Sequence, residues 1–203
     1  MGGYMQGKQE SLLVGYYTIT PLHVGTGQAT GAVDLPIAKE AHTGIPFIPS
    51  TSLKGAWRDL FKTQFSDKDE FESFFGNEIE QTREPGQSAT TAHQAGKLIF
   101  NEAQLLLYPF RSLNTLYVYA TCPFILERLQ NNLKYFNSRQ QLTLDRLDNQ
   151  TIYVCNKSLL HDNLIVEDYI CSEMEYYDHG EHLLEFLQNL VPDEYSTKRI
   201  EEN

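Results

Sequence analysis

Apolar residues along this chain recur at two periods, and the switch from one to the other marks out its elements. Leu12 to Thr20 (LLVGYYTIT) is rich in β-branched and aromatic residues and bounded by Pro21, which predicts a strand. From Leu53 the period lengthens. Leu53, Ala56, Trp57 and Leu60 fall at helical spacing behind Ser50, Thr51 and Ser52, three N-cap candidates, so a helix is predicted through Leu53–Phe65. Asp67 offers a cap for a second, short helix that carries Phe71, Phe74 and Phe75 and stops at Gly76. Lys97–Leu107 and Leu113–Ala120 read as strands joined by the turn YPFRS. Thr121 and Pro123 make a cap-and-first-position pair for a helix over Phe124–Phe136, where Ile125, Leu129 and Leu133 repeat every fourth residue. Thr151–Cys155 and Leu164–Cys171 read as strands, and His182–Leu190 as a helix with an apolar face.

To residue 155 the order is strand, helix, strand, strand, helix, strand. That is the α+β, ferredoxin-like (RRM-like) βαββαβ arrangement, an antiparallel sheet with helices on one face and the other face open to RNA. The polar stretches Asn77–Gly96 and 137–150 read as a mobile loop and a connector, and the last dozen residues as frayed. This predicts a flexible tail over 1–11 and one RRM-like domain with inserted loops over 12–203, its end an acidic helical region over 161–203.

Composition narrows the class. At 41% hydrophobic and 12% aromatic the 203 residues can bury a core. No run approaches the roughly 18 apolar residues of a membrane span, and the N-terminus lacks a signal-peptide pattern. Cys122, Cys155 and Cys171 are odd in number and widely spaced, which fits reduced thiols in a cytoplasmic protein rather than a zinc ribbon or disulfide framework. The net charge of −11 argues against a general nucleic-acid binder, but the acidity is uneven. Residues 1–60 carry four acids and four bases, whereas residues 161–203 carry twelve acids and two bases. A basic surface earlier in the chain and an acidic end facing a partner protein are both compatible with this.

The long segment Thr20–Arg58 holds the candidate chemistry. Gly25, Gly27 and Gly31 suggest a nucleotide loop, but the spacing is neither a P-loop nor a dinucleotide fingerprint. They read instead as positions where backbone approaches a ligand or adopts positive φ, or as a purely structural loop. Lys54 and Arg58 lie one turn apart on a helix whose start offers free N–H groups, a seat for a phosphate; the plainer reading is that they solvate the helix. Asp34 sits alone among apolar residues in GAVDLPI. One carboxylate cannot build a two-metal site; it can cap a turn, act as a general base, or help hold one hydrated Mg²⁺. His23 and His42 flank it. His179 and His182 lack the four-residue spacing of a helical metal pair. Arg111 and Ser112 read either as a second phosphate contact or as a salt bridge and a turn-capping serine.

The blocks TPLHVGTGQATGAVDLPIAKEAHTGIPFIPSTSLKGAWR, Phe74-Phe75-Gly76, GKLIF, AQLLLYPFRS, TCPFILER and LIVEDY, in that order, resemble one family closely: the RAMP-superfamily backbone subunit of Cmr (type III-B CRISPR) effector complexes, the fourth subunit of that module. The resemblance spans most of residues 12–175. It implies an RRM-like core, copies stacked in a helical filament along a CRISPR RNA, contact with other Cmr subunits, and cutting of complementary single-stranded target RNA at regular intervals. It puts the cleavage residue at Asp34, with His23 secondary and a divalent cation, Mg²⁺, as cofactor. It puts Gly25, Gly27, Ser50, Ser52, Lys54, Arg58, Arg111 and Ser112 near guide RNA. It also implies a thumb hairpin and a further C-terminal part that completes the sheet.

Overall fold

Packing divides the chain into two units, one formed by His23–Leu105 and the other by Met1–Leu22 with Leu106–Asn203. The computed structural model describes residues 10–26, 36–77, 94–136, 142–160 and 163–190. Gly27, Gly31, Asp34, most of the expected N-terminal tail, the middle of the Asn77–Gly96 loop and the frayed end lie outside the described residues.

The His23–Leu105 unit opens as a meander. Val24–Thr26 run antiparallel to Pro36–Ala38: the Ala38 N–H donates to the Val24 carbonyl (2.7 Å) and the Thr26 N–H to that of Pro36 (3.0 Å). A second turn follows, closed by Gly44 at φ +70°, a left-handed conformation that suits glycine. The chain then returns through Pro46, which bridges Lys39, into β1 (Phe47–Ile48). Helix α1 (Ser50–Phe61) begins one residue after extended Pro49, so Ser50, Thr51 and Ser52 form its first turn instead of capping it. It stops before Phe65, because that ring packs on Phe71 and Phe74 (centroids 5.6 and 5.9 Å). In α2 (Lys68–Phe75) the Asp67 carboxylate accepts from the Asp69 N–H, the expected cap, and Gly76 ends the helix at φ +90°. β2 (Ala103–Gln104) pairs antiparallel with β1 and is much shorter than the predicted strand Lys97–Leu107. The core of this unit is aromatic, with Phe75 stacked among Phe61, Phe71 and Phe100.

In the other unit the segment read as a turn, YPFRS, is strand β3 (Tyr108–Ser112), and the turn lies at Leu113–Thr115 before β4 (Leu116–Ala120). Proline suggested a turn. Pro109 is tolerated in the strand because β3 meets its other neighbour only at Ser112, so no ladder bond is asked of the missing N–H. Helix α3 (Pro123–Tyr135) has Pro123 at its first position as expected, but Cys122, not Thr121, sits at the cap. β5 (Ile152–Val154) follows. The predicted strand Leu164–Cys171 is a hairpin, β6 (Leu164–Val166) and β7 (Tyr169–Cys171), which turns at Glu167 with φ +52°. β8 (Met174–Tyr176) pairs in parallel with β5, and α4 (Gly180–Gln188) closes the unit. The four-stranded antiparallel sheet runs β4-β3-β6-β7.

The core of this unit gathers Leu126 and Leu133 of α3, Leu142, and Leu183, Phe186 and Leu187 of α4. Residues 12–18 keep the two-residue period of a strand, with Leu13 against the core and the Tyr17 hydroxyl 2.9 Å from that of Tyr119. They enter no ladder among the described residues. Among the described residues no helix is long and apolar enough to cross a membrane.

Candidate functional site

Helix α1 presents its first turn to an open cleft of about 390 Å³. Ser50, Thr51 and Lys54 line one side, and Gly76, Asn77, Gln94 and Phe100 are among the residues of the other walls. Among the described residues no side chain caps α1, so the N–H groups of its first turn face outward without an internal acceptor there, beside the partial positive end of the helix. The Lys54 ammonium reaches the Leu98 carbonyl, at 3.4 Å and exposed. A cation, free backbone donors and hydroxyls around an open cleft make a seat for an anionic backbone. Ser52 is exposed and does not line the cleft.

Arg58, one turn further on, has another use. Its guanidinium donates to the Gly76 carbonyl (2.6 Å) and lies over the Phe71 ring. It therefore fixes the end of α2 that forms the cleft wall, where a phosphate contact was expected. The cleft is held from the opposite side by Lys97 and Leu98, whose N–H groups donate to the Ser73 and Phe74 carbonyls. These supports were illegible in sequence, apart from Gly76 as a helix stop.

Gly25 sits in the antiparallel bridge to Ile37, so its role is pairing within a stem. The Thr26 hydroxyl adds a bond to the Pro36 carbonyl (3.2 Å). Gly27 and Asp34 belong to the segment between these two stem strands and lie outside the described residues. His23 is exposed just before the stem, and His42 is exposed in the turn closed by Gly44.

Arg111 and Ser112 lie in the other unit and follow the plainer of their two readings. Glu167 holds Arg111 three ways: one carboxylate oxygen accepts from Nε (3.0 Å) and Nη2 (2.6 Å), the other from the Arg111 backbone N–H (3.0 Å). These hydrogen bonds raise the guanidinium's affinity for its proton and lower that of Glu167. Ser112 is buried and accepts from the Asn114 N–H across the turn (3.2 Å). His179 pairs with Asp145 at 2.7 Å, and among the described residues no three His, Cys, Asp or Glu side chains cluster as a metal site would require.

A family model described as the RAMP superfamily matches residues 16–201. The CRISPR system Cmr endoribonuclease Cmr4 of Pyrococcus furiosus is 34% identical over 164 residues, which is 77% of this chain and 52% of that protein. The CRISPR system Cms endoribonuclease Csm3 of Streptococcus thermophilus is 36% identical over 89 residues, 42% of this chain and 40% of that protein. The crystal structure of oligomeric Cmr4 from Pyrococcus furiosus superposes with a TM-score of 0.65 at 25% identity, covering 91% of this chain and 63% of that one. The chain thus spans about half the length of the Cmr4 relative, and it shares the ferredoxin-like, RRM-type core of these proteins.

Proposed function

This chain belongs to the RAMP superfamily, and on that premise we propose that it is the guide-RNA-binding backbone subunit of a type III-B CRISPR effector that cuts complementary RNA. In this reading it lines up with further copies of itself along a CRISPR RNA, contacts other Cmr subunits, and works in the cytoplasm. The likeness to the Cmr endoribonuclease over 77% of the chain supports the reaction class. The structural observation that carries the RNA contact is the uncapped first turn of α1 beside Lys54 on an open cleft.

The chemistry asks little covalent work of the protein. Asp34, with His23 assisting, takes the proton of a 2′-hydroxyl. The freed oxygen bonds to the adjacent phosphorus as the 5′-oxygen leaves in line and takes a proton from water. Orientation of the strand supplies most of the acceleration. A Mg²⁺ ion at Asp34 would have a single protein carboxylate from the expected set and would supply charge neutralisation at the phosphate. Cuts recur at a fixed interval because each copy brings one Asp34.

Lys54→Ala tests the cleft. Its hydrogen bond to the Leu98 carbonyl is long and exposed, so the fold should persist. Affinity for single-stranded RNA should fall several-fold, and the slope of log K against log salt should shrink by about 0.7, the value for one phosphate contact on a single strand. Fluorescence anisotropy over a salt series reads both. An unchanged slope would remove Lys54 from the interface.

A further inference from the structure

We propose that Glu167 occupies the place of an RNA phosphate on Arg111, so that it sets the affinity of this surface by competing with RNA for one guanidinium fork. The inference rests on the RNA-binding reading above. Arg111 projects from the end of β3 with its side chain 86% exposed. An arginine so placed on a protein with no internal use for it would be free to meet an anion. Here its Nε and Nη2 both donate to one Glu167 oxygen, so the carboxylate occupies the same two donors that a phosphate would take.

The carboxylate is delivered deliberately. Glu167 takes φ +52°, an uncommon conformation for a residue with a side chain. It is held there by its own N–H donating to the Arg111 carbonyl (2.9 Å) and by its second carboxylate oxygen accepting from the Arg111 N–H. These backbone bonds register the β6–β7 turn against β3 without needing the guanidinium. Only the contact to the guanidinium is exchangeable, and it is solvent-exposed, where an ion pair contributes little. Asp168, next along the turn, adds negative field at Arg111 and deepens the competition. An RNA phosphate gains the fork only by displacing Glu167, so with that carboxylate in place the guanidinium adds little to RNA affinity.

The test is RNA binding by the full chain, followed by anisotropy of a fluorescein-labelled single-stranded RNA across a potassium chloride series. Glu167→Gln keeps the hydrogen-bonding shape and removes the charge. It should tighten the Kd by roughly two- to fivefold, the scale of an exposed ion pair, and steepen the salt slope by about 0.7. Adding Arg111→Gln to it should erase both changes. Arg111→Gln alone, which needs no change at Glu167, should leave Kd within about twofold at low salt because that arginine is already neutralised. Weaker binding by Glu167→Gln, or an unchanged slope in a variant that melts like the parent, overturns the competition while leaving the RNA reading intact. If Lys54→Ala and the parent are equally indifferent to RNA, the RNA reading itself falls.

Discussion

On the proposed function, replacing Asp34 by Asn should stop regular cleavage of complementary RNA by the reconstituted complex, with the cutting rate falling by about 10²- to 10⁴-fold, the span of a lost general base, while guide and target RNA remain bound. The family likeness is what singles out Asp34. Among the described residues no carboxylate cluster or metal-ligand set provides a rival centre. Several described acids are committed to structure, among them Glu167 to Arg111, Asp67 to the start of α2, and Asp148 to the turn at Gln150 and Thr151. In sequence Asp34 falls between the two hydrogen-bonded stem strands, Val24–Thr26 and Pro36–Ala38. Asparagine preserves size and polarity but cannot accept the proton. Denaturing gels of a labelled target after quench-flow sampling give the rate, and filter binding gives the affinity. Persistence of the regular ladder in the variant would remove Asp34 from the reaction. A parent complex that binds target RNA and never cuts it would instead identify a guide-holding scaffold.

The helices were legible because their signals are local. Asp67 ahead of α2, Gly76 behind it and Pro123 at the start of α3 each act within one turn of their own position. The strands were less so. YPFRS looked like a turn because proline and serine are turn residues by local chemistry; its pairing with β4 along all five residues makes it a strand, and Pro109 is tolerated because, among the described residues, β3 meets β6 only at Ser112. LLVGYYTIT shows its period plainly, yet a period does not supply a partner, and residues 12–18 enter no ladder among the described residues.

Site residues divide in the same way. A helix start near Ser50 with Lys54 in its first turns could be placed from spacing, but that the three hydroxyl residues join the helix and leave its start uncapped could not. The partner of Arg111 lies 56 residues away, and that of Arg58 lies 18 away across a helix end, distances over which sequence pattern carries no pairing information. Asp34 is the extreme case: its residue chemistry says turn, and only the family likeness singles it out.

Two glycine substitutions bracket how firmly the cleft is built. Gly96→Ala should destabilise the chain by about 3 kcal/mol, the upper end of overpacking costs. A Cβ at residue 96 would lie 2.3 Å from the Phe74 carbonyl oxygen, 2.4 Å from the Phe75 carbonyl carbon and 2.5 Å from the Gly76 nitrogen. All three are backbone atoms at the end of α2, so no side chain can swing aside. The segment 94–98 must retreat and take with it the Lys97 and Leu98 bonds to the Ser73 and Phe74 carbonyls. RNA affinity should therefore fall together with stability, since Gly76, Ala95 and Gly96 wall the cleft.

Gly55→Ala adds the same methyl on α1, where nothing lies within 4 Å, and should stabilise by about 0.5–1 kcal/mol because alanine is the better helix former. Both changes stiffen the unfolded chain alike, so a difference in sign belongs to the folded state. Urea midpoints at constant slope measure it. A Gly96→Ala protein as stable as its parent would mean that residues 94–98 do not press on the end of α2, and the cleft would lose the wall that makes it a seat for a phosphate.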